Sequence, residues 1–276
     1  IQNGVAMNRQ PAVADRFYPG DEYSLNQTVQ SFLDRHNPVK IENCFAIVSP
    51  HAGYVYSGSV CAETMKSIDI PETVVILGPN HHGRGASVSL SKKNWQMPWG
   101  DVSVDDGFVA LLERADANIE IDESAHQQEH SLEVQIPFLH ALQSNLKIAP
   151  LVLSHLSYSS CEKIANALAN AVLQYNRPVL IVASSDMNHY ESRQLGSVKD
   201  KLALDELKAL NPQGLYNIVS ANNISMCGII PVTIALLASM QLGANKADVV
   251  RYCDSGDVSG DTNQVVGYAG AVIHKT

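Results

Sequence analysis

Histidines directly after the ends of three hydrophobic runs constrain this chain more than any other feature of its sequence. The runs and the residues beyond them are 45–50 with His51, 74–80 with His81 and His82, and 179–185 with Asp186 and His189. Short apolar runs of this kind predict buried strands, and parallel strands deliver the loops after them to one edge of a sheet. Ligands of open α/β sheets bind at that edge. The pattern therefore predicts a metal site or an acid–base site there.

Strand-like and helix-like segments alternate along the whole chain. The sequence predicts strands at 44–49, 73–78, 102–104, 147–153, 178–184, 247–253 and 264–273. It predicts helices at 24–33, 57–67, 107–115, 131–142, 160–173, 200–210, 213–220 and 231–240, with Pro137 indicating a kink or an early turn. This order predicts a three-layer α/β/α fold with a mostly parallel, mixed central sheet, in which the last two strands add the antiparallel pairing.

Length and composition limit the classes of protein to which this chain can belong. The 276 residues suffice for one large core, so we expect a single domain over 1–276, with 1–9 as a loosely ordered N-terminal extension. The net charge of -9 argues against a nucleic-acid partner, because phosphate binding needs a basic surface. No apolar stretch reaches the roughly 18 residues of a membrane span. Five cysteines without regular spacing indicate reduced thiols and a cytoplasmic location, not a disulfide scaffold or a zinc finger.

The side chains expected at the sheet edge suit metal binding. Neutral imidazole is the commonest ligand of transition metals. Adjacent residues on an extended backbone point in opposite directions, so at most one of His81 and His82 is expected to face a common centre with His51. Asp186 and His189 are three residues apart and can share one site if their loop turns helical.

Two further segments carry residues whose roles the sequence leaves open. Cys227 is expected at the start of the helix 231–240, where a helix N-terminus lowers a thiol pKa and favours the thiolate. The alternative for Cys227 is a small buried hydrophobic residue. Glu129 and His130 lie just before the segment 131–142, where a carboxylate either caps a helix or serves the site.

Two metal chemistries suit histidines with a carboxylate or thiolate around an open position. A non-haem iron(II) site leaves room for a substrate and O₂, whereas a zinc site lowers the pKa of a bound water and promotes hydrolysis. The chain has no HExxH sequence, which excludes the commonest zinc-protease arrangement. It also has neither a GxSxG sequence nor a glycine-rich phosphate loop.

Six sequence motifs resemble the Memo family, in the prokaryotic branch called AmmeMemoRadiSam system protein B. They occur in the family's order: PAVADRFYP at 11–19, SPHAGY at 49–54, LGPNHH at 77–82, EHSLE at 129–133, SSDMNH at 184–189 and MCG at 226–228. The resemblance extends over about residues 10–272. It implies a fold similar to that of the class III extradiol dioxygenases, which use iron(II) on an α/β sheet.

The resemblance also implies a pocket and its metal. The implied pocket residues are His51, His81, His189 and Cys227. We expect His51, His81 and Cys227 to bind the metal, and His189, Asp186 and Glu129 to serve as acid–base or supporting groups. Iron(II) is the expected metal, with copper or zinc as alternatives, because a soft thiolate also suits copper(I). Cys227 would stand where the dioxygenases have a carboxylate, so the resemblance does not extend to ring cleavage.

The expected activity is redox chemistry with O₂ on a small molecule. The family label further implies work beside an AMMECR1-like protein and a radical SAM protein. Two other functions use the same pocket: a non-catalytic module that binds a peptide or a protein, and a metal-trafficking protein.

Overall fold

A computed structural model describes residues 7–276, and these form an eleven-stranded sheet between two layers of helices. The strands are β1 (Cys44–Ser49), β2 (Thr73–Pro79), β3 (Val88–Leu90), β4 (Trp95–Met97), β5 (Gly100–Val104), β6 (Glu120–Ile121), β7 (Lys147–Leu153), β8 (Val179–Ser184), β9 (His189–Glu191), β10 (Lys246–Asp254) and β11 (Val265–His274). Eight of them take the order β10-β11-β1-β8-β2-β7-β3-β6. The other three attach at the side, as β4 pairs with β5, β5 with β7 and β9 with β11.

The centre of the sheet is parallel and its edges bring in antiparallel pairs. Strands β1, β8, β2 and β7 run parallel to one another. Strand β11 lies antiparallel to β1, β10 is antiparallel to β11, and β3 is antiparallel to β7. Every residue of β2 is buried, which explains why its sequence is a continuous apolar run and not an alternating pattern. The predicted α/β class with a mixed sheet is confirmed.

Helices cover both faces of the sheet. Their bounds are α1 (Glu22–Asp34), α2 (Tyr54–Lys66), α3 (Asp106–Ala115), α4 (Ile136–Leu142), α5 (Tyr158–Tyr175), α6 (Arg193–Lys208), α7 (Pro212–Ala221), α8 (Ile229–Gln241) and α9 (Gly256–Ser259). Helices α1, α2 and α4 pack together on one face, whereas α3, α5, α6, α7 and α8 form the other layer. Among residues 7–276 no helix has both the length and the apolar character needed to cross a bilayer.

The structure differs from the sequence predictions in the starts of two helices and in several short strands. The helix predicted at 131–142 starts only at Ile136, because a 3₁₀ turn precedes it and Pro137 occupies the first turn, where its missing N–H is not needed. Helix α6 begins before the predicted residue 200, because the Ser192 side chain caps it by accepting a hydrogen bond from Leu195 N. The sequence does not predict strands β3, β4, β6 and β9, since each is too short to show a period.

A buried ion pair ties the N-terminal segment to the fold. Arg9 pairs with Glu133, and both side chains are almost inaccessible to solvent. The Glu133 carboxylate also accepts hydrogen bonds from the Tyr18 hydroxyl at 2.6 Å and from Ala12 N at 2.8 Å. The sequence predicts a loosely ordered N-terminal extension over 1–9, but Arg9 is buried and held in place. Residues 1–6 lie outside the described part of the chain.

The Arg9 guanidinium also holds the loop that precedes α4. It donates to the backbone carbonyls of His126 at 2.9 Å and of Glu129 at 2.6 Å, and it lies over the Trp95 ring. One cation thus satisfies a buried carboxylate and fixes the path of a loop that would otherwise have unpaired carbonyls inside the protein.

We expect Arg9→Ala to lower the free energy of unfolding by about 3–5 kcal/mol, because Glu133 would remain as a buried carboxylate without its cation. Urea denaturation measures this change. The matched control is Arg114→Ala, at an exposed position in the last turn of α3, which should change stability by less than about 0.5 kcal/mol. Equal stability of the two variants would contradict a structural role for the Arg9–Glu133 pair.

Candidate metal centre

Three imidazoles meet at the carboxyl edge of the parallel strands. His51 comes after β1 and His81 comes after β2, and these strands flank β8 in the sheet. The ring centres of His51 and His81 are 5.2 Å apart. His130, from the loop before α4, stacks on His81 at 4.6 Å and meets the edge of His51 at 5.4 Å. The sheet topology and one loop therefore build the cluster together.

The three rings are close enough to share one ion. One ring nitrogen from each of His51, His81 and His130 lies within 4.8 Å of the corresponding nitrogens of the other two. Metal–nitrogen bonds are about 2.0–2.1 Å long, so these nitrogens can converge on one ion after small ring movements. The cluster could therefore hold a metal ion.

Ser184, the last residue of β8, sets the orientation and tautomer of His51. The Ser184 hydroxyl donates its single proton to the carbonyl of Ser131 at 2.6 Å. It therefore has only acceptor capacity left for the Nδ1 atom of His51, 2.8 Å away. Nδ1 of His51 must carry the ring proton, and Nε2 keeps its lone pair for a ligand.

Glu129 does the same for His81. Its Oε1 lies 2.8 Å from Nδ1 of His81, and its Oε2 accepts from the backbone N of His81 at 2.7 Å. Oε1 also accepts from Ser131 N at 3.0 Å. Burial alone would raise the pKa of Glu129, but the hydrogen bonds from His81 and Ser131 outweigh it and lower that pKa to about 2. The ionised carboxylate thus accepts the Nδ1 proton of His81 and leaves Nε2 free.

The buried imidazoles are neutral at physiological pH. Burial, reinforced by the nearby His81 ring, lowers the pKa of His51 to about 3. Burial and the charges of His51 and His81 lower the pKa of His130 to about 4. Neutral rings are the form that binds metal, so no proton has to leave these two side chains when an ion enters.

Cys227 contacts the cluster at His51. Its Sγ lies 3.2 Å from Nε2 of His51 and accepts a hydrogen bond from the backbone N of Asp186 at 3.3 Å. Gly228 makes this approach possible, since a Cβ there would overlap Ser185 and the carbonyl of Ser184. The predicted lowering of the thiol pKa is wrong: burial, and then the Asp186 charge, raise the pKa of Cys227, because both disfavour the thiolate.

Asp186 lies beside His51 in a buried position. Its Oδ1 accepts from the backbone N of His51 at 2.8 Å, and its Oδ2 is 3.9 Å from His51 Nε2. Burial raises the pKa of this carboxyl, although the hydrogen bond from His51 N acts in the opposite direction. The predicted acid–base residue is thus next to the imidazole that it would serve.

His189 lies at the rim, outside the three-imidazole cluster. Its Nδ1 is 2.8 Å from the carbonyl of Ser225, and its backbone N donates to the Ser225 hydroxyl at 2.7 Å. A carbonyl only accepts, so Nδ1 of His189 carries the proton and Nε2 is unprotonated in the neutral ring. Its positive form lowers the pKa of His51 and Asp186, which places His189 within electrostatic range of both residues.

His130 is the cluster member whose role the sequence leaves open. It comes after no strand, so the pattern that selects His51 and His81 does not select it. Its only local signal is its position directly after Glu129, whose Oε1 is 3.7 Å from the His130 Nδ1. His82, by contrast, is exposed and stays out of the cluster.

Comparisons with known proteins agree over almost the full chain. The family model described as Memo-like protein matches residues 9–272. A MEMO1 family protein of Methanocaldococcus jannaschii is 40% identical over 282 residues, which cover 96% of this chain and 98% of the relative. A MEMO1 family protein of Sulfolobus acidocaldarius is 40% identical over 279 residues, which cover 95% of this chain and 98% of the relative.

A solved structure shares the fold at low sequence identity. The crystal structure of an uncharacterized protein from Escherichia coli K12 matches with a TM-score of 0.57 and 12% identity. The match covers 82% of this chain and 98% of that chain. At this identity the likeness concerns the fold alone.

We expect the ring signals of His51 and His130 in the metal-free protein to stay unchanged between about pH 8 and pH 5.5, because their lowered pKa values keep the rings neutral. In urea the same rings should titrate near the ordinary value of about 6.5. The unfolded chain then binds protons that the folded chain does not, so stability should fall as the pH drops below that value. NMR titration measures both states, and a folded-state transition near neutral pH would contradict the neutral cluster.

Proposed function

We propose that this chain, which belongs to the Memo-like protein family, is a metal-binding protein whose ion is held by His51 and His81 with a third ligand from His130 or Cys227. One observation carries the proposal. Ser184 and Glu129 take up the Nδ1 atoms of His51 and His81, which leaves the Nε2 atom of each ring for a ligand, beside the neutral imidazole of His130. Histidines that bind a metal are oriented in this way, with the second ring nitrogen hydrogen-bonded to a carboxylate, carbonyl or other acceptor.

The donor set fits a transition metal with open coordination positions. Imidazole suits iron, copper and zinc, whereas calcium and magnesium prefer oxygen. Glu129 is engaged by His81 and is therefore not available as a ligand. Three protein ligands leave room for a further molecule at the ion, as in catalytic sites.

We favour iron(II) as the resident metal, with redox chemistry on a small molecule as the activity. Bound iron(II) would supply one-electron and O₂ chemistry. The residues around it would move protons: Asp186 lies beside Nε2 of His51, and the Ser225 carbonyl engages Nδ1 of His189 and leaves its Nε2 for proton transfer. Dense burial of His51 and Asp186 excludes bulk water from that side.

Copper is the second candidate, because a thiolate is a soft ligand. The 3.2 Å between Cys227 Sγ and His51 Nε2 is a distance that two ligands of one ion can have. Because burial and Asp186 raise the pKa of Cys227, its proton must leave when the sulfur binds.

We expect the protein purified without oxygen to carry near-stoichiometric iron, and His51→Ala and His81→Ala to lose it, since each removes one oriented nitrogen. Elemental mass spectrometry measures the content. His82→Ala is the matched control, because it alters the exposed neighbour and should keep the metal. With ascorbate added as the electron donor, the iron-loaded protein should consume O₂, and the zinc-loaded protein should not.

Two outcomes would contradict the metal proposal. The first is wild-type protein that binds no metal even after iron(II), copper(I) and zinc are added. The second is equal metal content in His81→Ala and His82→Ala, which would place the ion away from the cluster.

Cobalt(II) substitution identifies the third ligand. A thiolate bound to cobalt(II) gives an intense near-ultraviolet charge-transfer band, and imidazole does not. If Cys227 binds, the band should be present in wild type and in His130→Ala but absent in Cys227→Ser. A wild-type spectrum without the band, together with metal loss in His130→Ala, would assign the third position to His130.

A further inference from the structure

A depression of about 650 Å³ opens beside the histidine cluster, and no carboxylate lines it among the described residues. The side chains that matter for its chemistry are His81, His130, Arg16, Phe17, Gln127 and Gln128. This is unusual in a chain with a net charge of -9. Its volume falls within the range of pockets for small molecules, about 300–1,000 Å³.

Arg16 gives this depression an unpaired cation. Its guanidinium is exposed and has neither an ion pair nor a hydrogen bond to any residue in 7–276. Asp15, its neighbour in sequence, makes no ion pair with it among residues 7–276: Asp15 accepts from Gly20 N at 2.8 Å and lines an adjacent depression that Arg16 also borders. A planar guanidinium with free N–H groups is the side chain best suited to bind a carboxylate or phosphate by two parallel hydrogen bonds.

The backbone around Arg16 is held in place. Arg16 N and Phe17 N both donate to the carbonyl of Val13, at 3.0 and 2.9 Å. The carbonyl of Phe17 accepts from Tyr54 N at 2.9 Å. Hydrogen bonds therefore fix the backbone of Arg16 in a turn, although the Arg16 side chain is exposed to solvent.

The other walls suit the rest of an organic ligand. The Phe17 ring lies 4.8 Å from the His130 ring and is only partly buried, so it offers an apolar surface. The side-chain amides of Gln127 and Gln128 are exposed and have no hydrogen-bond partner in the described chain. They can donate to or accept from polar groups of a ligand.

We propose that this depression binds a small organic anion, whose carboxylate or phosphate pairs with Arg16 while its other end lies beside His81 and His130. The inference rests on the proposed function in one respect: it names the class of molecule that would meet the metal. The charge of Arg16 then selects the ligand, because an uncharged analogue cannot form the ion pair.

The test uses three anions as probes: benzoate, succinate and inorganic phosphate. Benzamide, the neutral isostere of benzoate, is the uncharged comparison. Ligand-observed NMR measures binding to wild type, Arg16→Gln and Arg16→Lys, each in metal-free and metal-loaded form. We expect Arg16→Gln to weaken benzoate binding at least ~10-fold, because it removes a charge-assisted hydrogen-bonded pair. Arg16→Lys should bind with intermediate strength, since it keeps the charge but not the planar fork.

Arg114→Gln is the matched control, because it removes another exposed arginine, on α3, away from the depression. It should bind benzoate as wild type does. Benzamide should bind wild type no better than it binds Arg16→Gln. No saturable binding of any of the three anions, or equal binding of benzoate to wild type and Arg16→Gln, would overturn the proposal.

The metal content of the same samples separates the two proposals. If protein that holds no metal binds benzoate and this binding depends on Arg16, the anion site is supported and the metal centre is not. Metal bound at the cluster, with benzoate binding that is indifferent to Arg16, would refute the anion site alone.

Discussion

Parallel pairing of β1, β8 and β2 is the constraint on which the site depends. Adjacent parallel strands end at the same edge of the sheet. The residues just beyond them, His51, Asp186 and His81, therefore lie close together whatever path the longer loops take. Burial at the end of β1 desolvates the His51 imidazole and keeps it neutral. The same low-dielectric setting opposes a free thiolate at Cys227.

The loop 126–133 links the site to the stability of the fold. It carries two buried carboxylates with different roles. Glu129 orients His81, whereas Glu133 pairs with Arg9 and accepts a hydrogen bond from the Tyr18 hydroxyl. Buried carboxylates persist only when their lone pairs are satisfied. The ion pair that fastens the N-terminal segment therefore also holds the loop that supplies the third imidazole.

The hydrophobic pattern of the sequence predicts the strands and their ends, whereas it does not predict the paths of the loops. The meeting of His51, His81 and Asp186 can be predicted from strand ends, and the structure brings Cys227 to the same place. The place of His130 in the cluster and the burial of Arg9 depend on a loop path that no period encodes. The shift in the thiol pKa depends on neighbours that only the fold reveals. The AMMECR1-like and radical SAM partners, the cytoplasmic location and the catalytic roles stay predictions.

Anomalous X-ray scattering from crystals loaded with iron(II) under nitrogen tests the central claim most directly. Data collected on both sides of the iron absorption edge locate the ion without reference to activity. The account predicts one strong peak within bonding distance of Nε2 of His51 and of His81, about 2.0–2.3 Å for nitrogen ligands. A peak elsewhere on the protein, or no peak in crystals shown to contain iron, would contradict it.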